Sequence, residues 1–255
     1  MDCVSPPSAA RRVRIAACGD VHCREANREA VIESFSVLAG TADLVLIAGD
    51  LTSHGTVEEA EILCEAAVRA QAPVFAVLGN HDWQDDAGVA IADRLREAGI
   101  GLLERESRVC LVDGVEVGIV GCKGFVGGFA PHHLPDFGEP SLRAVYAETT
   151  AEVEALGAGL KEIATCPLRI VLLHYSPTEE TLEGEPREIF TFLGSERLAA
   201  PILEHNPDLV LHGHAHEGAA SGRVGETPIH NVSQPVLGEP FWRTELSVPA
   251  HGSIP

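Results

Sequence analysis

Basic residues are scarce in this chain: 18 Lys and Arg stand against 38 Asp and Glu, a formal net charge of −20. A surface of that sign repels polyanions, so long nucleic acid is disfavoured as a partner, and so is an anionic membrane surface. No C-x-x-C pair occurs among the seven cysteines. Their number is odd and several lie inside apolar, strand-like runs, a pattern of free buried thiols in a reducing compartment; a cytoplasmic protein is expected. No stretch approaches the roughly 20 apolar residues of a membrane span. The opening "MDCVSPPSAARRVRIAACGD" carries no apolar leader segment before its first strand-like run. Internal repeats and low-complexity tracts are absent from the sequence as well.

What is present suffices for one large core. The 255 residues are 45% hydrophobic, which is ordinary for a globular chain. A loose tail is expected over residues 1–11 and a single domain over 12–255. Short apolar runs alternate with longer segments of helical period, as in α/β units. "RVRIAACGD", "DLVLIAGD" and "PVFAVLGNHD" read as strands with helices between them. Thr56 is the expected N-cap of the second helix, with Glu59 completing a capping box. The rhythm then changes, because Asp113-Gly114 joins two β runs as a hairpin. A helix over roughly Leu142 to Ala164 is expected to be interrupted near Gly157 and Gly159, and further strands follow at "LRIVLLH" and "DLVLHGH".

Five of these strands finish in polar clusters: "CGDVH", "AGD", "LGNHD", "LLH" and "LHGHAH". The carboxyl ends of strands in α/β sheets form the edge where ligands bind, so the clusters can converge. Singly, each polar residue reads as a helix cap or a satisfied turn. Jointly, Asp20, His22, Asp50, Asn80, His81, Asp82, His174, His214 and His216 supply the mixed nitrogen and oxygen donors that borderline divalent metals take. Their number exceeds the three or four ligands of one site and points to two ions with a bridging carboxylate, for which Asp50 is placed.

The order D-x-H, G-D, G-N-H-D, H, G-H-x-H, here Asp20-Val21-His22, Gly49-Asp50, Gly79 to Asp82, His174 and Gly213 to His216, resembles that of the calcineurin-like metallophosphoesterases. The resemblance implies an α/β fold of four layers, two mixed β-sheets packed as a sandwich and flanked by helices. It implies that one metal ion is held by Asp20, His22, Asp50 and His216, and a second by Asp50, Asn80, His174 and His214. It also implies hydrolysis of a small phosphate ester by a hydroxide bridging the two ions, with His81 facing the substrate and Asp82 orienting His81. Asn, Asp and His ligands suit Mn²⁺, Fe²⁺ or Zn²⁺. His212 falls outside the pattern and is expected to be packed or hydrogen-bonded.

"GDLTSHG" and "GNHDW" are similar to the small bacterial phosphodiesterase members of that superfamily, so a phosphodiester is the expected substrate. The alternatives are a phosphomonoesterase and a catalytically silent scaffold for a protein partner. His54, His132 and His133 are candidate substrate contacts, the last two within a Gly- and Pro-rich stretch from Lys123 to Pro140 that reads as a substrate lid. Lys123 and Arg143 are candidate phosphate clamps. Trp83 is a candidate stacking surface, whereas Phe125 is expected in the core.

Overall fold

The computed structural model describes residues 11–248. Residues 1–10, which include Cys3 and all but the last residue of the tail expected over 1–11, lie outside the described residues; Arg11, assigned to that tail, instead opens the first strand.

Two mixed sheets form the middle of the molecule. The first contains β1 (Arg11–Cys18), β2 (Leu44–Ala48), β3 (Val74–Val77) and β4 (Gly101–Leu102), all parallel, with the last strand of the chain antiparallel to β1. The second begins with the hairpin β5 (Glu106–Val112) and β6 (Val115–Gly121), whose turn residues Asp113 and Gly114 both have positive φ, at 47° and 75°. A short hairpin of β7 (Gly128–Phe129) and β8 (His132–His133) stands apart from it. β9 (Leu168–Leu172), β10 (Leu209–His212), β11 (Ser221–Val224) and β12 (Thr227–Asn231) complete the second sheet in the order β11-β12-β10-β9-β6-β5. β13 (Trp242–Val248) returns to the first sheet.

The period-2 alternation of the strands separates three apolar layers. Ile15, Ala17, Leu44 and Leu46 of the first sheet meet Val117, Ile119, Ile170, Leu172 and Leu211 of the second in the central layer. The opposite residues of the first sheet, among them Ala16, Val45 and Ile47, pack under α1 (Arg28–Ser36), α2 (Val57–Ala70) and α3 (Gly88–Glu97). Val120, Val171 and Val210 of the second sheet pack under α4 (Pro140–Glu162) and α6 (Ala199–His205), with the short α5 (Phe190–Leu193) between these helices in sequence. One further turn, α7 (Gln234–Leu237), precedes β13. The architecture is therefore the four-layer sandwich that the resemblance implied.

Two local expectations are corrected. Helix α4 runs unbroken through Gly157 and Gly159. A Cβ on Gly159 would lie 2.6 Å from Val120 Cγ1, so this glycine lets the helix lie close on β6 rather than interrupting it. At α2 the Thr56 side chain does accept the Glu59 N–H, but the Glu59 carboxylate reaches beyond the cap to His54, 2.7 Å from both its N–H and its Nδ1.

Candidate metal centre

The polar segments all leave carboxyl ends of parallel strands: Asp20 and His22 follow β1, Asp50 follows β2, Asn80 follows β3, His174 follows β9, and His214 and His216 follow β10. The two sheets are tied at this edge. The Gly19 N–H donates to the Val232 carbonyl, and the Val232 N–H to the His212 carbonyl, each at 2.7 Å. Residues contributed by different sheets thereby face one another across a single step of backbone.

Their donor atoms converge in three overlapping groups: Asp20, His22 and His216; His22, Asp50 and His81; and Asp50, His174 and His214, with the donors of each group within 4.8 Å of one another. Asn80 joins the third group, its Oδ1 lying 2.9 Å from His174 Nε2. That nitrogen is 3.4 Å from Asp50 Oδ1, while His22 Nε2 is 3.9 Å from Asp50 Oδ2. Asp50 is 1% exposed and is the carboxylate shared by two groups.

Backbone carbonyls fix which imidazole nitrogens are free. A carbonyl only accepts, so His174 Nδ1, 2.8 Å from the Ala48 oxygen, carries a proton and leaves the Nε2 lone pair facing Asn80 and Asp50. His214 donates from Nε2 to the Phe192 oxygen at 3.0 Å, leaving Nδ1 free. Burial and the neighbouring His174 push His214 down to about 3, which keeps that lone pair available. Burial would raise Asp20, but the His216 hydrogen bond at 2.9 Å, the neighbouring His174 ring and the His214 N–H bring it well below the ordinary carboxylate range. The donor set is thus imidazole, carboxylate and carboxamide, and it fits divalent ions of the manganese, iron or zinc kind.

Space for these groups comes from the glycines that precede them. A Cβ at Gly79 would lie 2.1 Å from Asp50 Oδ1, and one at Gly213 would lie 2.4 Å from Asp20 Oδ2. The backbone is also held in a costly form: Asp20, His22, Asp50 and His214 have φ of 58°, 45°, 50° and 69°. A non-glycine residue in this region costs about 1–3 kcal/mol, and such strain gathers at functional sites.

Asp82 sits differently from expectation. The His81 ring donates from Nδ1 to the Ser53 carbonyl at 2.8 Å and turns Nε2 toward Asp50 Oδ2 at 4.0 Å. Asp82 is fully buried, and its carboxylate is used by the N–H groups of Leu51, Thr52 and Gly79 and by the Thr52 hydroxyl. Burial, then Asp50, holds it up at about 6 against those hydrogen bonds. The tautomer of His81 is therefore set by Ser53, and Asp82 fastens the loop after β3 to the loop after β2.

Among the described residues, His54, His132 and His133 belong to none of the metal-capable groups, nor do they line the cavity beside the site. His54 is engaged by Glu59, His133 Nδ1 lies 3.3 Å from Glu196, and the β7–β8 hairpin exposes both of its histidines. His212 is buried as expected, with Nδ1 2.8 Å from the Gly213 oxygen and Nε2 2.8 Å from Thr181 Oγ1.

A cavity of about 560 Å³ opens beside Asn80, with Trp83, Phe125, Tyr175 and Lys123 among its walls. Phe125, expected in the core, lines this cavity, whereas Arg143 does not. Arg105, Glu148 and Glu152 form a further wall, in which Arg105 Nη2 lies 2.9 Å from Glu152 Oε1. Sequence reasoning missed Tyr175 although it adjoins His174. Arg105 and Glu152 meet only through the packing of α4, so no local signal marks them.

A sequence model described as calcineurin-like phosphoesterase matches residues 13–218. Purple acid phosphatase 4 of Arabidopsis thaliana is 29% identical over 150 residues, covering 57% of this chain but only 42% of that protein. Among solved structures, Phosphopantetheinyl Hydrolase (PptH) from Mycobacterium tuberculosis superposes with a TM-score of 0.65 at 17% identity, over 86% of this chain and 88% of that one. The protein TT1561 of Thermus thermophilus superposes with a TM-score of 0.59 at 17% identity, over 93% and 99% of the two chains. At these identities the structural likeness is one of fold.

Proposed function

Because the chain belongs to the calcineurin-like phosphoesterase family, we propose that it hydrolyses small phosphate esters, phosphodiesters first, with two divalent ions at the joined strand ends. The observation that carries this reading is the buried Asp50 carboxylate, which shares its neighbourhood with His22 and His81 on one side and His174 and His214 on the other. In this reading Asp20, His22, Asp50 and His216 hold one ion, and Asp50, Asn80, His174 and His214 hold the other, with Mn²⁺, Fe²⁺ or Zn²⁺ suited to the donors. When bound, the ions supply Lewis-acid stabilisation of the phosphoryl oxygens and a water acidic enough to attack at neutral pH.

The protein's own residues do the rest. Asp50 and Asp20 bring only two negative charges to four from the ions, so the pocket is positive inside an acidic protein and draws in an anion. His81 keeps Nδ1–H on Ser53, so a proton on Nε2 is the one it can give to the leaving oxygen. Asp82 positions that loop through its four hydrogen bonds and does not touch the reacting atoms. No helix among the described residues is long and apolar enough to cross a membrane. Five buried free cysteines among the described residues fit a reducing, cytoplasmic setting.

The test is turnover of bis(p-nitrophenyl) phosphate against p-nitrophenyl phosphate by chelator-stripped protein refilled with Mn²⁺. Metal-dependent turnover with preference for the diester is expected. Preference for the monoester would replace the phosphodiesterase reading, and inactivity on both would overturn the enzyme reading.

A further inference from the structure

Two polar groups line the cavity beside Asn80 with little hydrogen bonding of their own among the described residues. Tyr175 is 4% exposed, its ring centre 4.4 Å from that of His214 and inclined at 53° to it, and it lines the cavity. Among the described residues nothing hydrogen-bonds its hydroxyl, and that oxygen is not sealed from the cavity. Lys123 Nζ lies 4.2 Å over the Phe125 ring and 5.3 Å from the centre of the Tyr175 ring. Its one polar contact is the Gly124 carbonyl at 3.4 Å, and among the described residues no carboxylate comes within 4.0 Å of it. An ammonium with free donors, held on two aromatic faces at the wall of a cavity, is arranged to receive an anion.

The acidic wall does not supply that anion. Glu152 gives one oxygen to Arg105 Nε at 3.0 Å and the other to the Gly124 N–H at 2.9 Å. Glu148 is held by Arg105 Nη2, and Glu104 accepts the Leu78 N–H at 3.1 Å. Lys123 is itself fixed beside the candidate metal centre, because its carbonyl accepts the N–H groups of His174 and Tyr175 at 3.0 Å each. The space between is bounded by Phe125 and by Trp83, 41% exposed at the cavity wall. Its volume of about 560 Å³ is that of a small-molecule site.

We propose that this cavity is a leaving-group subsite for phosphate esters whose leaving group is a flat or apolar body bearing a second anion, a phosphate or a carboxylate, bound by Lys123 Nζ and Tyr175 Oη. The proposal rests on the phosphoesterase reading and names the substrate class of that site. Hydrolysis at the metal centre would release the second anion still bound to Lys123.

The experiment compares three ligands that share one methyl aryl phosphodiester, methyl phenyl phosphate, methyl 4-carboxyphenyl phosphate and the bisphosphate methyl 4-phosphonooxyphenyl phosphate, as inhibitors of bis(p-nitrophenyl) phosphate turnover by the Mn²⁺-loaded protein. Charge-assisted hydrogen bonds in a partly desolvated cavity are expected to make the ligands with a second anion about tenfold to hundredfold tighter. The carboxylate and bisphosphate arms decide which anion is preferred. The advantage is read as a ratio within each variant, so a general loss cancels. It should fall to near one in Lys123→Met, fall several-fold in Tyr175→Phe, and persist in Arg143→Ala, which lies outside the cavity. A ratio near one in the unaltered protein, or an undiminished ratio in Lys123→Met, overturns the proposal. If the protein turns over no ester, the phosphoesterase reading has failed. The same ligands titrated calorimetrically then test the subsite alone, on the same criterion.

Discussion

Replacing Gly79 by Ala should dismantle the centre while leaving the fold nearly intact. The added Cβ would stand 2.1 Å from Asp50 Oδ1 and 2.3 Å from the Asp50 nitrogen, where ordinary contact begins at 3.4 Å. The carboxylate must therefore retreat by about 1.3 Å, and its backbone cannot yield easily, because the Asp50 carbonyl accepts the His22 N–H at 3.0 Å. Metal–ligand distances tolerate only about 0.2 Å, and a misplacement of about 1 Å at a reacting centre costs on the order of 10²-fold in rate. Overpacking costs about 1–3 kcal/mol of stability, too little to unfold a domain of ordinary stability. The assay is metal content after dialysis, read beside the thermal midpoint and diester turnover, with Gly99→Ala as control. Gly99 also has a positive φ of 85°, but nothing lies within 4 Å of its Cβ position, so that variant should lose some stability and keep its ions. Full metal content and turnover within twofold of the unaltered protein in Gly79→Ala would refute the close-approach reasoning.

Three further outcomes follow from the same geometry. His81→Ala should keep its metal content and lose on the order of 10²–10⁴-fold in turnover; loss of the ions from that variant would make His81 a ligand or a structural residue. His212 is held down to about 4 by burial, against an ordinary 6.5. Its stabilising contribution is complete above pH 6.5 and is lost as pH falls toward 4, because the unfolded chain binds the proton first. The loss amounts to about 3 kcal/mol by linkage. Urea titrations in chelator at pH 7.5 and 4.5 should show a smaller acid loss in His212→Asn than in the unaltered protein, and equal losses would contradict this. Asp82→Ala should leave the buried N–H groups of Leu51, Thr52 and Gly79 unpaired and lower the thermal midpoint by an amount equivalent to several kcal/mol. A variant as stable as the parent would remove Asp82 from its fastening role.

The strand ends were legible because their signal is local. Apolar runs such as Leu44–Ala48 end abruptly in Gly-Asp, Gly-Asn-His or Gly-His-x-His, and although each ending alone reads as a cap or a turn, five of them together point to one shared site. What was not legible depends on which sheet or helix arrives opposite. Gly159 read as a helix breaker because its purpose, contact with Val120, lies on another element. Asp82 was paired with His81 by adjacency, whereas the chain turns its carboxylate back onto the loop after β2. Glu59 fitted a capping box by spacing, yet His54 competes for it at 2.7 Å. The stretch from Lys123 to Pro140 reads as a lid by composition; its Lys123 and Phe125 line the cavity, but His132 and His133 do not, and Tyr175, Arg105 and the glutamates of α4 share the wall instead. Spacing carries ligand order; it does not carry the tertiary partner of a given carboxylate.

The central claim is that Asp50 joins two ions. Its most direct test is metal stoichiometry by inductively coupled plasma mass spectrometry on chelator-stripped protein refilled with Mn²⁺ and desalted, for the unaltered chain and for Asp50→Asn. Two ions per chain, falling to one or none in the variant together with loss of diester turnover, is the expected result. A single ion per chain, or two ions retained in Asp50→Asn, would contradict the account.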